Sequence, residues 1–129
     1  METKPDLPRY PTNWGVRFLC DCRKANKEIN IHKGIASEIS TGGVRILSDH
    51  HICERKKIAM QLMIPSLIGG APQQIVKIIG KSMDTIGQGG KFLTEIEFQY
   101  FEENGLKELE RNLHQRFNQQ FFAQSAQRA

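Results

Sequence analysis

From Trp14 to about Tyr100 the chain alternates apolar and polar residues with a period near two, and from about Asn104 the period becomes helical. That change of regime limits the fold more than any other feature. Val16, Phe18, Cys20 and Cys22 share one side of a first extended run, with Arg17, Asp21 and Arg23 opposite and only Leu19 out of step. Ala25-Asn26-Lys27 then turns the chain into a second run, Glu28 to Ile39. Val44 to Leu47 is a third. Ile58, Met60, Leu62 and Ile64 alternate with Ala59, Gln61 and Met63 until Pro65 ends the fourth. After a loop over 66–73, Gln74 to Thr85 forms a fifth, in which Gly80 marks a bulge or a close backbone approach. Gly87-Gln88-Gly89-Gly90 turns into the sixth, where Phe92, Thr94, Ile96, Phe98 and Tyr100 face one way and Glu95, Glu97 and Gln99 the other.

Connections this short favour an antiparallel barrel over a parallel sheet, which needs crossover helices between its strands. Closing the sheet removes its exposed edges. The expected fold is mainly β: a six-stranded antiparallel β-barrel with a C-terminal α-helix from about residue 104, capped by Asn104. Leu106, Leu109, Leu113 and Phe117 form the helix's apolar stripe, extended by Phe121, and Lys107, Glu108, Glu110, Arg111 and Arg116 lie opposite. The stripe packs either on the barrel or on the helix of a second copy, as a homodimer. This organisation gives one domain over 8–117, a flexible segment over 1–7, and a glutamine-rich tail over 118–129 that ends the helix or frays.

The composition narrows the function. Hydrophobic content of 39% and charged content of 25% describe a globular chain with a core. A net charge of +4 suits an anionic ligand without demanding nucleic acid, and 8% aromatics offer few bases a stacking surface. Met1 to Asp6 lacks an apolar leader, and the window Ile58 to Ala71 is too broken to cross a bilayer. A cytoplasmic protein with reduced Cys20, Cys22 and Cys53 is therefore expected. Cys20 and Cys22 lack the spacing of a zinc knuckle, no nucleophile–base–orienter set is visible, and Gly87–Gly90 has no phosphate-binding lysine. Neither an enzyme nor a metal protein is expected, and no cofactor is.

One turn carries ligand chemistry. In Glu38-Ile39-Ser40-Thr41-Gly42-Gly43 a carboxylate and a hydroxyl offer directional hydrogen bonds. Paired glycines allow a positive φ and close approach of a planar group, although a plain β-turn would use the same residues. With Val44-Arg45-Ile46 behind it and Ile96-Glu97-Phe98 closing the sheet, residues 8–117 resemble the PilZ domain family. That family is a six-stranded barrel with a C-terminal helix, and many members bind the second messenger cyclic di-GMP. The resemblance implies a site in two parts, Arg-x-x-x-Arg before the first strand and Asp/Asn-x-Ser-x-x-Gly between the second and third.

Ser40 and Gly43 match the second part, with Glu38 in place of Asp or Asn. In the first part, registering on Arg9 puts Asn13 where the second arginine belongs. Registering on Tyr10 instead puts Pro8 and Thr12 at the two positions. Arg17, Arg23 and Arg45 are candidates to compensate, and Trp14 to line a guanine pocket. The implied ligand residues are Arg9, Asn13, Glu38, Ser40, Gly42 and Gly43. The implied function is a receptor that binds cyclic di-GMP and relays the signal to a protein partner in motility, pilus or biofilm control. The alternative is a degenerate PilZ domain that binds no nucleotide and serves as a protein-interaction module.

Overall fold

The computed structural model describes residues 8–20, 31–66 and 70–128, without the side chains of Cys20 and of residues 118–128. The 1–7 segment, Asp21 to Asn30 and the Phe121 extension of the stripe lie outside that description. Six strands and one helix follow in order: β1 (Tyr10–Cys20), β2 (His32–Ile39), β3 (Gly43–Ser48), β4 (Lys57–Ile64), β5 (Gln74–Gln88), β6 (Lys91–Phe101) and α1 (Gly105–Arg128). The strands close into a barrel in the order β1-β2-β3-β6-β5-β4, every neighbouring pair antiparallel. The expected fold class holds.

The alternation explains the core. Val16, Phe18, Ile46, Ile58, Leu62 and Ile96 are each at most 1% exposed. Fully burying an aliphatic or aromatic side chain contributes roughly 1.5–3 kcal/mol. β1 begins at Tyr10, earlier than Trp14, because a register shift between Pro11 and Trp14 absorbs the extra residues. Inside that bulge the Thr12 hydroxyl donates to the Ala36 carbonyl at 2.5 Å.

Gly80 makes the close approach its position suggested. A Cβ there would lie 2.8 Å from the Glu97 carbonyl oxygen, at a register shift between Ile79 and Gly80. The same shift corrects the expected face of β6. Gly80 pairs with Phe98 but Ile79 with Tyr100, so Tyr100 turns outward, 58% exposed, and Phe101 packs against the core instead.

The loop after β3 is tied to one end of the barrel through buried Ser82. Its hydroxyl donates to the Cys53 carbonyl at 2.5 Å and accepts from the Lys56 amide at 2.9 Å, which sets Ile52 into the core. Cys53 is disulfide-bonded, which corrects the expected reduced thiol.

At the other end α1 lies on the barrel through Leu109 and Leu113. Leu106 is 38% exposed and departs from the expected stripe. Asn112 is buried in its stead, donating to Gln74 Oε1 at 3.0 Å and to the Glu108 carbonyl at 2.8 Å. Arg116 is also not on the solvent face. Its guanidinium carbon sits 5.3 Å from the Trp14 ring centroid and the group donates to the Pro65 carbonyl, with burial pushing its pKa down. Phe117 stacks on Tyr10 at 4.6 Å. These contacts anchor the start of β1 beneath the helix.

Candidate functional site

The β2–β3 connection is built around Ser40. Ile39 pairs with Val44, leaving Ser40 to Gly43 to reverse the chain. The Ser40 amide donates to the Gly43 carbonyl at 2.9 Å. In the other direction the hydroxyl replaces a main-chain acceptor, taking the Gly42 amide at 3.0 Å and the Gly43 amide at 3.1 Å. Ser40 is 3% exposed, so its oxygen is spent inside the turn.

The glycines have a different use from the expected positive φ. Among the described glycines only Gly70, Gly89 and Gly90 have one. A Cβ on Gly43 would lie 2.6 Å from the Ile96 carbonyl oxygen, so the close approach there is made by β6. The Gly42 carbonyl accepts from the Phe98 amide at 2.9 Å, fixing the corner to the same strand.

Register places the charges. Glu38 stands opposite Arg45 and Arg45 opposite Glu95, so the three form one row across β2, β3 and β6. Arg9, just before β1, reaches the same row. Its Nη2 donates to Glu95 Oε2 at 2.7 Å, and its Nη1 lies 4.0 Å from Glu38 Oε1. Arg45 Nε donates to Glu95 Oε1 at 3.0 Å, and Arg45 Nη1 lies 3.3 Å from Glu38 Oε1. Burial pushes the Glu95 carboxyl up, but the bonds from Arg9 and Arg45 together outweigh it and hold it below the ordinary range. The Glu95 hydrogen bond raises Arg45 in turn.

Two guanidiniums and two carboxylates thus share one corner, with 27–41% of each side chain exposed. The chemistry is suited to a guanine base and a phosphate. An arginine fork bonds guanine O6 and N7, or two phosphate oxygens, and a carboxylate accepts from N–H donors of the base. Each guanidinium has five donors and commits one hydrogen bond to Glu95, so donors remain for a ligand.

Of the residues singled out by sequence, Arg9, Glu38, Ser40, Gly42 and Gly43 meet at this corner, with the buried Ser40 and Gly43 shaping it from within. Asn13 is exposed in the β1 bulge and stands apart from the paired Glu38–Arg45–Glu95 row. Trp14 is 4% exposed beneath Arg116 and does not line the corner. Arg17 faces outward beside Lys33 and Gln61, and Arg23 lies outside the described residues. Of these three arginines, Arg45 is the one that reaches the Glu38–Glu95 row. Glu95 was missed, because strand alternation reveals only that it faces outward, and its partners depend on register.

His32 stacks on His50 at 3.7 Å beside Phe18, so it is a packing residue at the opposite end of β2. Among the described residues no three His, Cys, Asp or Glu side chains are grouped to hold a metal ion. Nor is any described helix long and apolar enough to cross a membrane.

No family model matches this chain, and no curated protein does. Among solved structures it is similar to the Bacillus subtilis inhibitor of motility MotI/DgrA, with a TM-score of 0.64 and 10% identity. The match covers 89% of this chain and 54% of the other, so the chain spans about half the length of that protein. At that identity the two share a fold.

Proposed function

We propose that this chain is a PilZ-type regulatory adaptor whose Arg9–Glu38–Arg45–Glu95 corner binds cyclic di-GMP and relays its presence to a protein partner. One observation carries the reading: the segment before β1 brings Arg9 against the Glu38–Gly43 turn, where Arg45 supplies a second guanidinium. The fold shared with a motility inhibitor supports control of motility, a pilus or a biofilm as the setting. Binding would hold Arg9 and Arg45 in one arrangement over the corner, and the ligand acts only through its preference for that arrangement.

Titration calorimetry with cyclic di-GMP tests it. A hydrogen bond to a charged group contributes about 1.5–3 kcal/mol, so Arg9→Ala or Arg45→Ala should each weaken binding roughly tenfold to a hundredfold.

A second reading, an adaptor that binds no nucleotide, has its own observation. Both arginines already donate to Glu95, so a phosphate must compete with a carboxylate in place. Absence of heat at high micromolar ligand would favour that reading. In either case Leu109 and Leu113 are used on the barrel, which leaves a homodimer through α1 to Leu106 and the residues beyond Phe117.

A further inference from the structure

Away from that corner, strand register writes a second pattern on the outside of the barrel. Leu19, Ala59, Ile79 and Tyr100 stand side by side across β1, β4, β5 and β6, an apolar row on the outer surface. Two residues along each strand, the next row is Lys33, Arg17, Gln61 and Lys77, across β2, β1, β4 and β5. On the far side of the apolar row Lys57 pairs with Lys81, ahead of Glu97. An apolar stripe therefore runs between two cationic rows. A depression of about 300 Å³ opens where the stripe meets the Arg17–Lys77 row, with Glu102 the one carboxylate among its described lining residues. Arg17, Lys33 and Lys77 are in no ion pair among the described residues, in contrast to Arg9 and Arg45.

We infer that this face is the docking surface for an acidic amphipathic helix of the partner protein. A closed barrel offers no strand edge, so pairing with an added strand is unavailable and a partner must lie on the face. The stripe matches the apolar anchors of a helix, and the cationic rows match Asp and Glu on both flanks of those anchors. The dimensions agree. Neighbouring strands are about 4.8 Å apart, so four span about 14 Å, the length of about nine helical residues. Rows on a strand are about 6.7 Å apart, so cations on either side of the stripe straddle a helix about 10–12 Å across. Tyr100 is the only strongly exposed aromatic ring in the stripe, too little to stack a run of bases.

The inference rests on the adaptor part of the proposed function and is independent of nucleotide, which calorimetry tests separately. The probe is a fluorescein-labelled helical peptide of about 18 residues, with Leu at i, i+3, i+4 and i+7 flanked by Glu, titrated with the full chain by fluorescence anisotropy. Saturable binding is expected, weakened at least about tenfold by Arg17→Glu/Lys77→Glu and by raised salt, and unchanged in Lys91→Glu, a charge reversal at the exposed Lys91–Asp49 pair outside these rows. Arg17 and Lys77 are both exposed, and Lys77→Glu alone should show a smaller loss in the same direction. No saturation up to roughly 1 mM peptide, or equal affinity for the double variant, overturns the inference. So does tighter binding of phosphatidylglycerol vesicles or oligo-dT that the same double reversal abolishes, which would assign the face to a membrane or to single-stranded nucleic acid.

Discussion

Replacing Ser40 with alanine should cost far more than a surface hydroxyl usually does. The substitution removes the acceptor of the Gly42 and Gly43 amides, held at 3.0 and 3.1 Å. Gly43 is buried, so its N–H would be left without a partner at a cost of about 1–3 kcal/mol. Gly42 is half-buried and can recover a water, so its loss is about 1 kcal/mol. The sum is about 2–4 kcal/mol. With about 2.1 cal/mol/K of unfolding entropy per residue, a chain of 129 residues would lose about 7–15 °C of Tm. Urea unfolding at neutral pH measures it, with an unchanged m-value confirming that stability alone moved. Thr41→Ala, one residue along the same turn, should stay within about 0.5 kcal/mol. A Ser40→Ala loss below about 0.5 kcal/mol would refute the argument that the hydroxyl builds the corner.

Gly43→Ala places a Cβ 2.6 Å from the Ile96 carbonyl oxygen, a backbone atom that cannot swing aside, and should cost about 1–3 kcal/mol or more by the same urea assay. Leu113→Ala opens a cavity under α1 and should cost about 2–5 kcal/mol. A red shift in the emission of Trp14, the sole tryptophan, would accompany it if the helix loosens over the barrel. Glu95 titrates below its ordinary value, so the stability it lends is fully present above about pH 4.3 and is lost as pH falls through its lower folded value. Urea midpoints of wild type and Glu95→Gln should therefore draw together as pH falls below about 4.3, and a constant difference would contradict the Arg9–Glu95–Arg45 linkage.

Much of the barrel was legible because a half-buried strand repeats every two residues, and Pro65, Gly80 and Gly89-Gly90 punctuate the runs. Features that depend on register were not. Tyr100 sits at an inward position of a regular strand and faces out because of one bulge beside Gly80. The Glu38–Arg45–Glu95 row needs the β2–β3 shift between Ala36 and Glu38 as well as the β3–β6 pairing, neither of which leaves a mark on the sequence. At the corner, Arg9, Glu38, Ser40, Gly42 and Gly43 of the motif do come together, with a different division of labour. Ser40 and Gly43 hold the turn against β6, while the groups left for a ligand are charges drawn from four separate segments. On α1, the spacing of leucines concealed that Asn112 and Arg116 are bound to Gln74 and Pro65, since polar residues enter a buried face only where partners await them.

Closure by β1 has a consequence during synthesis. The first strand of the barrel to leave the ribosome has two neighbours, β2 and the much later β4. At roughly 5–20 residues per second, translating the stretch from Cys20 to Lys57 takes on the order of seconds. Throughout that interval one flank of the nascent hairpin presents unpaired amides and carbonyls to whatever else is nearby. Chaperone dependence and inclusion-body formation should therefore respond most to changes that delay the arrival of β4.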